Sequence, residues 1–450
     1  MSKNSELAAN SLSVVKESTR PERKCEKMIT KWKEEIRDWS TSSLNISQLK
    51  QDNYPNWKDL PSIVLLLVFK HLQIYDRAQA ARVCQHWYRI YQVPQLWQSF
   101  EFIISQPQRS SLQPTSPALI RYILNQHAKH LRFVTFKVDS SQESAEMACR
   151  ILAQLVNCSL KTLGLISSAK PSFMKLDPDR FVSALTLVID KCHSLSSLAI
   201  EETPVDDPSL QLLATNSCNS LELLWMKSCP RVSAKGIQAV ADHCHQLCEL
   251  TLNYSLLSDD LLLALSSEEH ARLKFMRVDV SSDDLQAIAV HHVSSESWQA
   301  LVKHSPSMSL VMYIFLSLEN ALNQFFNVNI PVTHLYFCNY VPQSILIKVA
   351  KHCPCLMELV IGSNGNSIID QEILSVARGC PKLASLGLGM CEISCSAIVE
   401  LVKICGTRLK KLYVLEESMI EDEQHDIAKT CFEVSHIIGY EWCPDVMPVW

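Results

Sequence analysis

Leu221-Glu222-Leu223-Leu224-Trp225-Met226 is followed 26 residues later by Leu247-Cys248-Glu249-Leu250-Thr251-Leu252, and 26 later again by Leu273-Lys274-Phe275-Met276-Arg277-Val278. In each copy an apolar residue is followed by others three and five places on. Alternation of this kind sends successive side chains to opposite faces of an extended strand. The same spacing begins at Leu131, Leu160, Leu195, Met308, Val332, Leu356, Leu383 and Leu409, and a degenerate twelfth copy begins at Val434. Between copies lie helical stretches such as 236–244, 259–265, 371–377 and 397–404. One strand and one helix per unit predicts an α/β solenoid, with parallel strands on a concave face and helices on a convex one.

A period near 26 with this LxxLxL pattern is the signature of leucine-rich repeats, here about 12 of them over residues 105–436. It also accounts for most of the 18 cysteines. Cys192, Cys218, Cys244, Cys353, Cys380 and Cys431 each stand three residues before a repeat's first apolar member, and Cys229 and Cys391 stand eight after theirs. A thiol in such a slot is a small buried hydrophobe. The close pairs Cys244 with Cys248, Cys353 with Cys355 and Cys391 with Cys395 lack the paired C-x-x-C spacing of a zinc site, so no metal is expected.

Composition narrows the function class. With 47% hydrophobic and 20% charged residues most of the 450-residue chain should fold, and a net charge of −5 gives no reason to expect nucleic acid or a membrane surface as partner. Nine glycines leave little material for phosphate-cradling loops. There is no G-x-x-x-x-G-K, G-x-G-x-x-G, H-E-x-x-H or G-x-S-x-G, so no catalytic residue and no cofactor are expected. The chain begins Met-Ser-Lys-Asn with no apolar run before a cleavage site, and 63–69 is too short to span a bilayer. The expectation is a soluble, intracellular, thiol-reduced protein.

Ahead of the repeats, residues 1–52 read as a partly disordered extension, with Met28, Ile29, Trp32, Ile36 and Trp39 at helical spacing. Residues 53–104 read as helices. Asp59 suits an N-cap before Leu60-Pro61, the run 63–69 is apolar all round, and a second helix is expected at Asp76 with Gln79 as its capping-box partner. So small a bundle cannot bury a helix on every side, so apolar surface must meet another domain or another protein. Leu60, Pro61, Leu65, Phe69, Leu72, Val83, Trp87, Leu96 and Trp97 resemble an F-box in order and spacing. That resemblance implies binding to a Skp-type adaptor through these residues.

On the strands, residues flanking the second apolar member point to the open face. Most are small or charged. Leu223, Trp225 and Lys227, then Phe275, Arg277 and Asp279, then His334 and Tyr336, carry the aromatic and Arg side chains typical of binding hot spots. Trp225, Phe275, Arg277 and Tyr336 are the candidate substrate contacts. The last stretch, 437–450, is mostly apolar and free of Lys and Arg, and must dock on its own solenoid end or enter a partner's pocket.

That tail, with Phe136-Lys137-Val138-Asp139-Ser140-Ser141, 155–166, Thr203-Pro204-Val205-Asp206-Asp207-Pro208-Ser209-Leu210 and 256–267, resembles the cryptochrome-binding subgroup of F-box/leucine-rich-repeat proteins. The resemblance implies a non-catalytic substrate receptor of a Skp–cullin–F-box ubiquitin ligase in cytoplasm and nucleus, acting on the circadian clock. It puts Trp442, Pro444, Asp445, Met447, Pro448 and Trp450 into cryptochrome's flavin pocket. Residues 1–52 do not match the subgroup, and Cys443 stands where an aromatic is expected, which implies a divergent paralogue. The alternatives are a ligase-independent repeat protein acting as a binder or inhibitor, and an F-box receptor for a different substrate.

Overall fold

The structure, a computed structural model, describes residues 57, 60–106, 113–167, 173–282 and 293–445. The helix expected around Trp32, the N-cap expected at Asp59, and Met447, Pro448 and Trp450 lie outside them. The described residues fall into two units, one ending at Tyr91 and one starting at Gln92.

The first unit is three helices, α1 (Ser62–His71), α2 (Ile74–Ala80) and α3 (Gln85–Tyr91). Pro61 opens α1, its carbonyl taking the N–H groups of Val64 and Leu65 at 2.9 and 3.1 Å. The start expected at Asp76 is wrong: α2 begins two residues earlier, and Asp76 sits in its first turn. Arg77 accounts for the shift, donating back to the carbonyls of Leu72 (2.9 Å) and Lys70 (3.2 Å) and so drawing α2 close against the end of α1.

The second unit is a 13-stranded sheet. Its strands are β1 (Ser99–Ile104), β2 (Phe133–Val138), β3 (Thr162–Ser167), β4 (Ser197–Glu201), β5 (Leu223–Lys227), β6 (Glu249–Asn253) and β7 (Phe275–Val280). They continue as β8 (Ser309–Ile314), β9 (His334–Tyr340), β10 (Glu358–Ile368), β11 (Ser385–Ser394), β12 (Lys411–Val414) and β13 (Met419–Ile420). β1 to β12 lie side by side in chain order, all parallel, and β13 pairs with β11. Helices between strands, such as Pro178–Lys191 and Ala234–His243, cover one face. A helix is about 10 Å wide and strands are about 4.8 Å apart, so the sheet curves with its open face concave.

The leucine pattern lies in the core as expected: Leu131, Val134 and Phe136, and Leu221, Leu224 and Met226, are all at most 1% exposed. Three expectations about the repeats are corrected. The twelfth copy at Val434 is instead a helix, Ile427–Ile438, and Cys431 lies within it. One more repeat stands at the other end: β1 pairs Phe100 with Val134 and Phe102 with Phe136, inside the segment read as F-box. Its pattern is spelled Trp97, Phe100 and Phe102, the same spacing in aromatics. Finally, the copy read from Met308 slips by one. Leu310, Met312 and Ile314 face the helices, pairing in register with Met276, Val278 and Val280, so Val311 and Tyr313 turn to the concave face.

The thiols join neighbouring repeats. Cys158 donates to the carbonyl of Ala128 (3.0 Å), Cys192 to that of Cys158 (3.2 Å) and Cys380 to that of Cys353 (3.4 Å). Burial pushes the Cys158 and Cys380 thiols up to about 11 and Cys391 to about 12, which keeps the donor proton in place.

His127, 3% exposed, stacks flat on Trp97 with ring centroids 3.9 Å apart. Burial lowers its pKa from 6.5 to about 4. The unfolded imidazole therefore takes up a proton below pH 6.5 that the folded one refuses until about pH 4, and stability falls with pH across that window. The melting temperature of the wild type should drop more steeply between pH 6.5 and 4 than that of His127→Gln, and parallel profiles would contradict this.

Candidate functional site

The first candidate surface is on α1. Leu65 and Phe69, one turn apart, are fully buried, and Phe69 meets Trp87 edge-on at 5.9 Å. The same helix leaves Ile63, Val64, Leu67 and Val68 exposed, Ile63 by 65% and Leu67 by 52%. Val83 and Tyr88 are exposed as well. The helix is apolar all round, with one side in the core of the three-helix unit and the other exposed.

This sorts the sequence-derived contacts. Pro61 and Val83 are exposed, Leu60, Leu72 and Trp87 half-buried. Trp87 donates its indole N–H to the carbonyl of Trp57 at 3.3 Å. Leu65 and Phe69 are corrected to core residues of the three-helix unit. Leu96 and Trp97 are also corrected: they are 4% and 2% exposed, and Trp97 occupies the first-leucine position of the first repeat. The surface residues missed are Ile63, Val64, Leu67 and Val68, which the all-apolar run signalled without telling which side faced out.

The second surface is the centre of the concave face, β4 to β10. Arg277 lies between aromatic rings, its guanidinium carbon 4.0 Å from the Tyr313 centroid and 5.9 Å from that of Trp225. Asp279 grips it with both carboxylate oxygens, from Nε at 2.6 Å and Nη2 at 2.9 Å. Burial opposes the Arg277 charge, but Asp279 outweighs it and the pKa ends above its ordinary value. Tyr313 stacks on Tyr336 at 4.6 Å, and the Tyr336 hydroxyl donates to Glu358 Oε1 at 2.6 Å. Phe275 packs against Val311, Tyr336 and Val360.

Trp225, Phe275 and Arg277 are thus brought together, half-buried, in one platform. Tyr336 is corrected from contact to support: it is 8% exposed, beneath the stack that Tyr313 extends. Tyr313 was missed because the slipped register at Met308 counted it as core. Glu201, at the edge of the platform, has its pKa raised by burial, against the lowering pull of Lys227 and Arg277.

The third surface is the chain's end. Trp442 is corrected from partner contact to internal anchor: it is 5% exposed and its indole N–H donates to the Leu412 carbonyl at 2.8 Å. Asp445 is exposed, and its backbone N–H is held by the Val414 carbonyl at 3.1 Å. Pro444 is half-buried. Among the described residues no group of three or more His, Cys, Asp or Glu could hold a metal, and no helix is long and apolar enough to cross a membrane.

Known proteins add to this geometry. The F-box-like family matches residues 57–102. Over 395 residues the chain is 50% identical to F-box/LRR-repeat protein 21 of Mus musculus, covering 88% of this chain and 91% of that protein. F-box/LRR-repeat protein 8 of Homo sapiens is 26% identical over 269 residues, 58% of this chain and 68% of that protein. Among solved structures, the crystal structure of the yeast Rad7 and Elc1 complex is similar with a TM-score of 0.36 and 14% identity, covering 92% of this chain and 97% of that one.

The raised Glu201 pKa has a measurable consequence. Below the usual carboxylate range the group is protonated folded or unfolded and costs nothing; as pH rises, the unfolded chain ionises first and folding loses ground. Glu201→Gln should therefore raise the melting temperature at neutral pH and leave it unchanged in acid. A lower melting temperature at neutral pH would show that the attraction of Lys227 and Arg277 outweighs burial.

Proposed function

This chain belongs to the F-box/LRR-repeat family, whose members are substrate adaptors of Skp–cullin–F-box ubiquitin ligases, and we propose that the substrate it receives is cryptochrome. In this reading α1 binds the Skp-type adaptor, and the adaptor connects to cullin. The concave platform and residues 446–450 bind cryptochrome, in cytoplasm and nucleus, as part of circadian clock control. No bond is made or broken on this chain. Ubiquitin transfer occurs on other subunits, and the receptor contributes proximity.

One observation carries the adaptor arm: Ile63, Val64, Leu67 and Val68 form a continuous apolar stripe on α1 that the other described residues of the three-helix unit leave exposed. Contiguous exposed apolar side chains of this kind mark surfaces on which a protein partner docks. Leu67→Asp places a charge in the stripe without touching Leu65 or Phe69. It should abolish co-purification of a Skp-type adaptor while the melting temperature stays unchanged. Undiminished adaptor binding would take the contact off this stripe, and a wild-type chain with which no Skp-type adaptor co-purifies would favour a ligase-independent binding protein.

The cryptochrome arm is supported by the half-exposed Trp225 and Phe275, the aromatic and rigid kind of group that dominates protein interfaces. It is supported too by the apolar sequence Val446-Met447-Pro448-Val449-Trp450. Residues preceding proline favour an extended backbone, the form in which a short tail enters a deep pocket. Co-purification with cryptochrome should weaken with Trp225→Ala, with Phe275→Ala, on deletion of residues 446–450, and on adding flavin. Indifference to both deletion and flavin would refute tail insertion, and indifference to both alanines would remove the concave contact.

A further inference from the structure

Two thiols stand outside the repeat slots. Cys431 is half-buried on the terminal helix Ile427–Ile438, and Cys443 is exposed on the segment that follows it. Unlike Cys158, Cys192 and Cys380, neither thiol makes a hydrogen bond among the described residues. Gly439 ends the helix with φ of 81°, a left-handed conformation that reverses the chain at little cost to glycine. The returning segment then follows the outer side of β12. Tyr440 donates its hydroxyl to the Lys410 carbonyl (3.1 Å), Trp442 its indole N–H to that of Leu412 (2.8 Å), and Asp445 its backbone N–H to that of Val414 (3.1 Å).

One hydroxyl ties this segment to the helix. Ser435 Oγ donates to the Cys431 carbonyl at 2.7 Å and accepts the Trp442 backbone N–H at 2.8 Å. Cys431 lies one turn before Ser435 on the same side of the helix, and Cys443 is the residue after Trp442. The two cysteines are thus held near one another across the reversal at Gly439. Burial raises the Cys431 pKa, and the thiols of Cys443 and then Cys395 raise it further, so the three sulfurs lie within electrostatic reach. Cys395 is fully buried, out of reach of a solute.

From this geometry we propose that Cys431 and Cys443 form a reversible disulfide in response to a hydroperoxide, clamping the returning segment onto the terminal helix. Cys443, being exposed, is the sulfur that the oxidant meets first. Its thiolate attacks one oxygen of hydrogen peroxide, the O–O bond breaks, and the thiol's proton leaves with the other oxygen as water. Cys443 is then a sulfenic acid. The Cys431 sulfur displaces the hydroxyl, the S–S bond forms, and the Cys431 proton leaves with that hydroxyl as a second water. The two thiols have given two electrons and two protons to one peroxide, and a thiol reductant reverses the change. The bond closes a short loop around Gly439, so the segment no longer lifts freely from β12 and the edge of the sheet stays covered. The clamp acts whichever partner the chain receives.

The test uses the full chain, reduced, freed of reductant and treated with hydrogen peroxide, then alkylated, denatured and cut after glutamate. Cuts at Glu433 and Glu441 separate the two cysteines, so their peptides stay joined only through the disulfide. The joined peptides should appear after peroxide and vanish with reductant. Cys431→Ser should leave Cys443 as a sulfenic acid that dimedone labels, and Cys443→Ser should leave Cys431 open to alkylation. In the oxidised wild type the Asp445 amide should exchange its hydrogen about tenfold more slowly than in the reduced protein. In Cys431→Ser peroxide should leave that rate unchanged.

Peroxide that leaves both thiols open to alkylation, joins Cys431 to Cys395 instead, or oxidises Cys443 further without joining it would overturn the proposal. A disulfide that forms with no change in exchange at Asp445 would overturn the clamp.

Discussion

No repeat in this protein can bury its own leucines. The strands of the ladder present apolar side chains toward the helices, and these lose contact with water only when the strands on either side are in place. The parallel ladder from β1 to β12 is therefore one continuous constraint, with stability shared between neighbours rather than held within units. Buried thiols donating to the carbonyls of the preceding repeat follow the same logic, since they satisfy polar backbone at the joints with a side chain small enough to fit.

A ladder of this kind has two ends that need cover and one face that stays free. At the start, Trp97 takes a leucine's place and is covered by the flat ring of His127. At the finish, the Ile427–Ile438 helix and the returning segment through Asp445 close the edge of β12. The free face carries the platform. Its centre is rigid because Asp279 and Glu358, which are mostly buried, tie down Arg277 and Tyr336, and these in turn hold Tyr313 and leave Trp225 and Phe275 at the surface. A binding surface fixed in advance loses less freedom when a partner arrives.

The repeat was legible because ten copies in register leave one interpretation, and the alternation says which side of each of those strands is core. Legibility failed where one sequence fits two registers. Ser309-Leu310-Val311-Met312-Tyr313-Ile314 is apolar on both faces, so a reading one residue out still looks like a core strand, and it moves Tyr313 from platform to interior. It failed again at Trp97, where two patterns share a residue and only burial decides which one owns it.

What the sequence determined by itself is everything that follows from local period: an α/β solenoid, its strands and their direction, the small helical unit before it, and cysteines in structural slots. What the tertiary structure decided is which apolar residues are spare. Leu65 and Leu67 are the same residue type two positions apart on one helix, and Trp225 and Trp442 are both tryptophans in apolar surroundings. One of each pair is core and the other is exposed at least in part, because burial depends on what lies across the interface, and no local pattern encodes the far side of a contact.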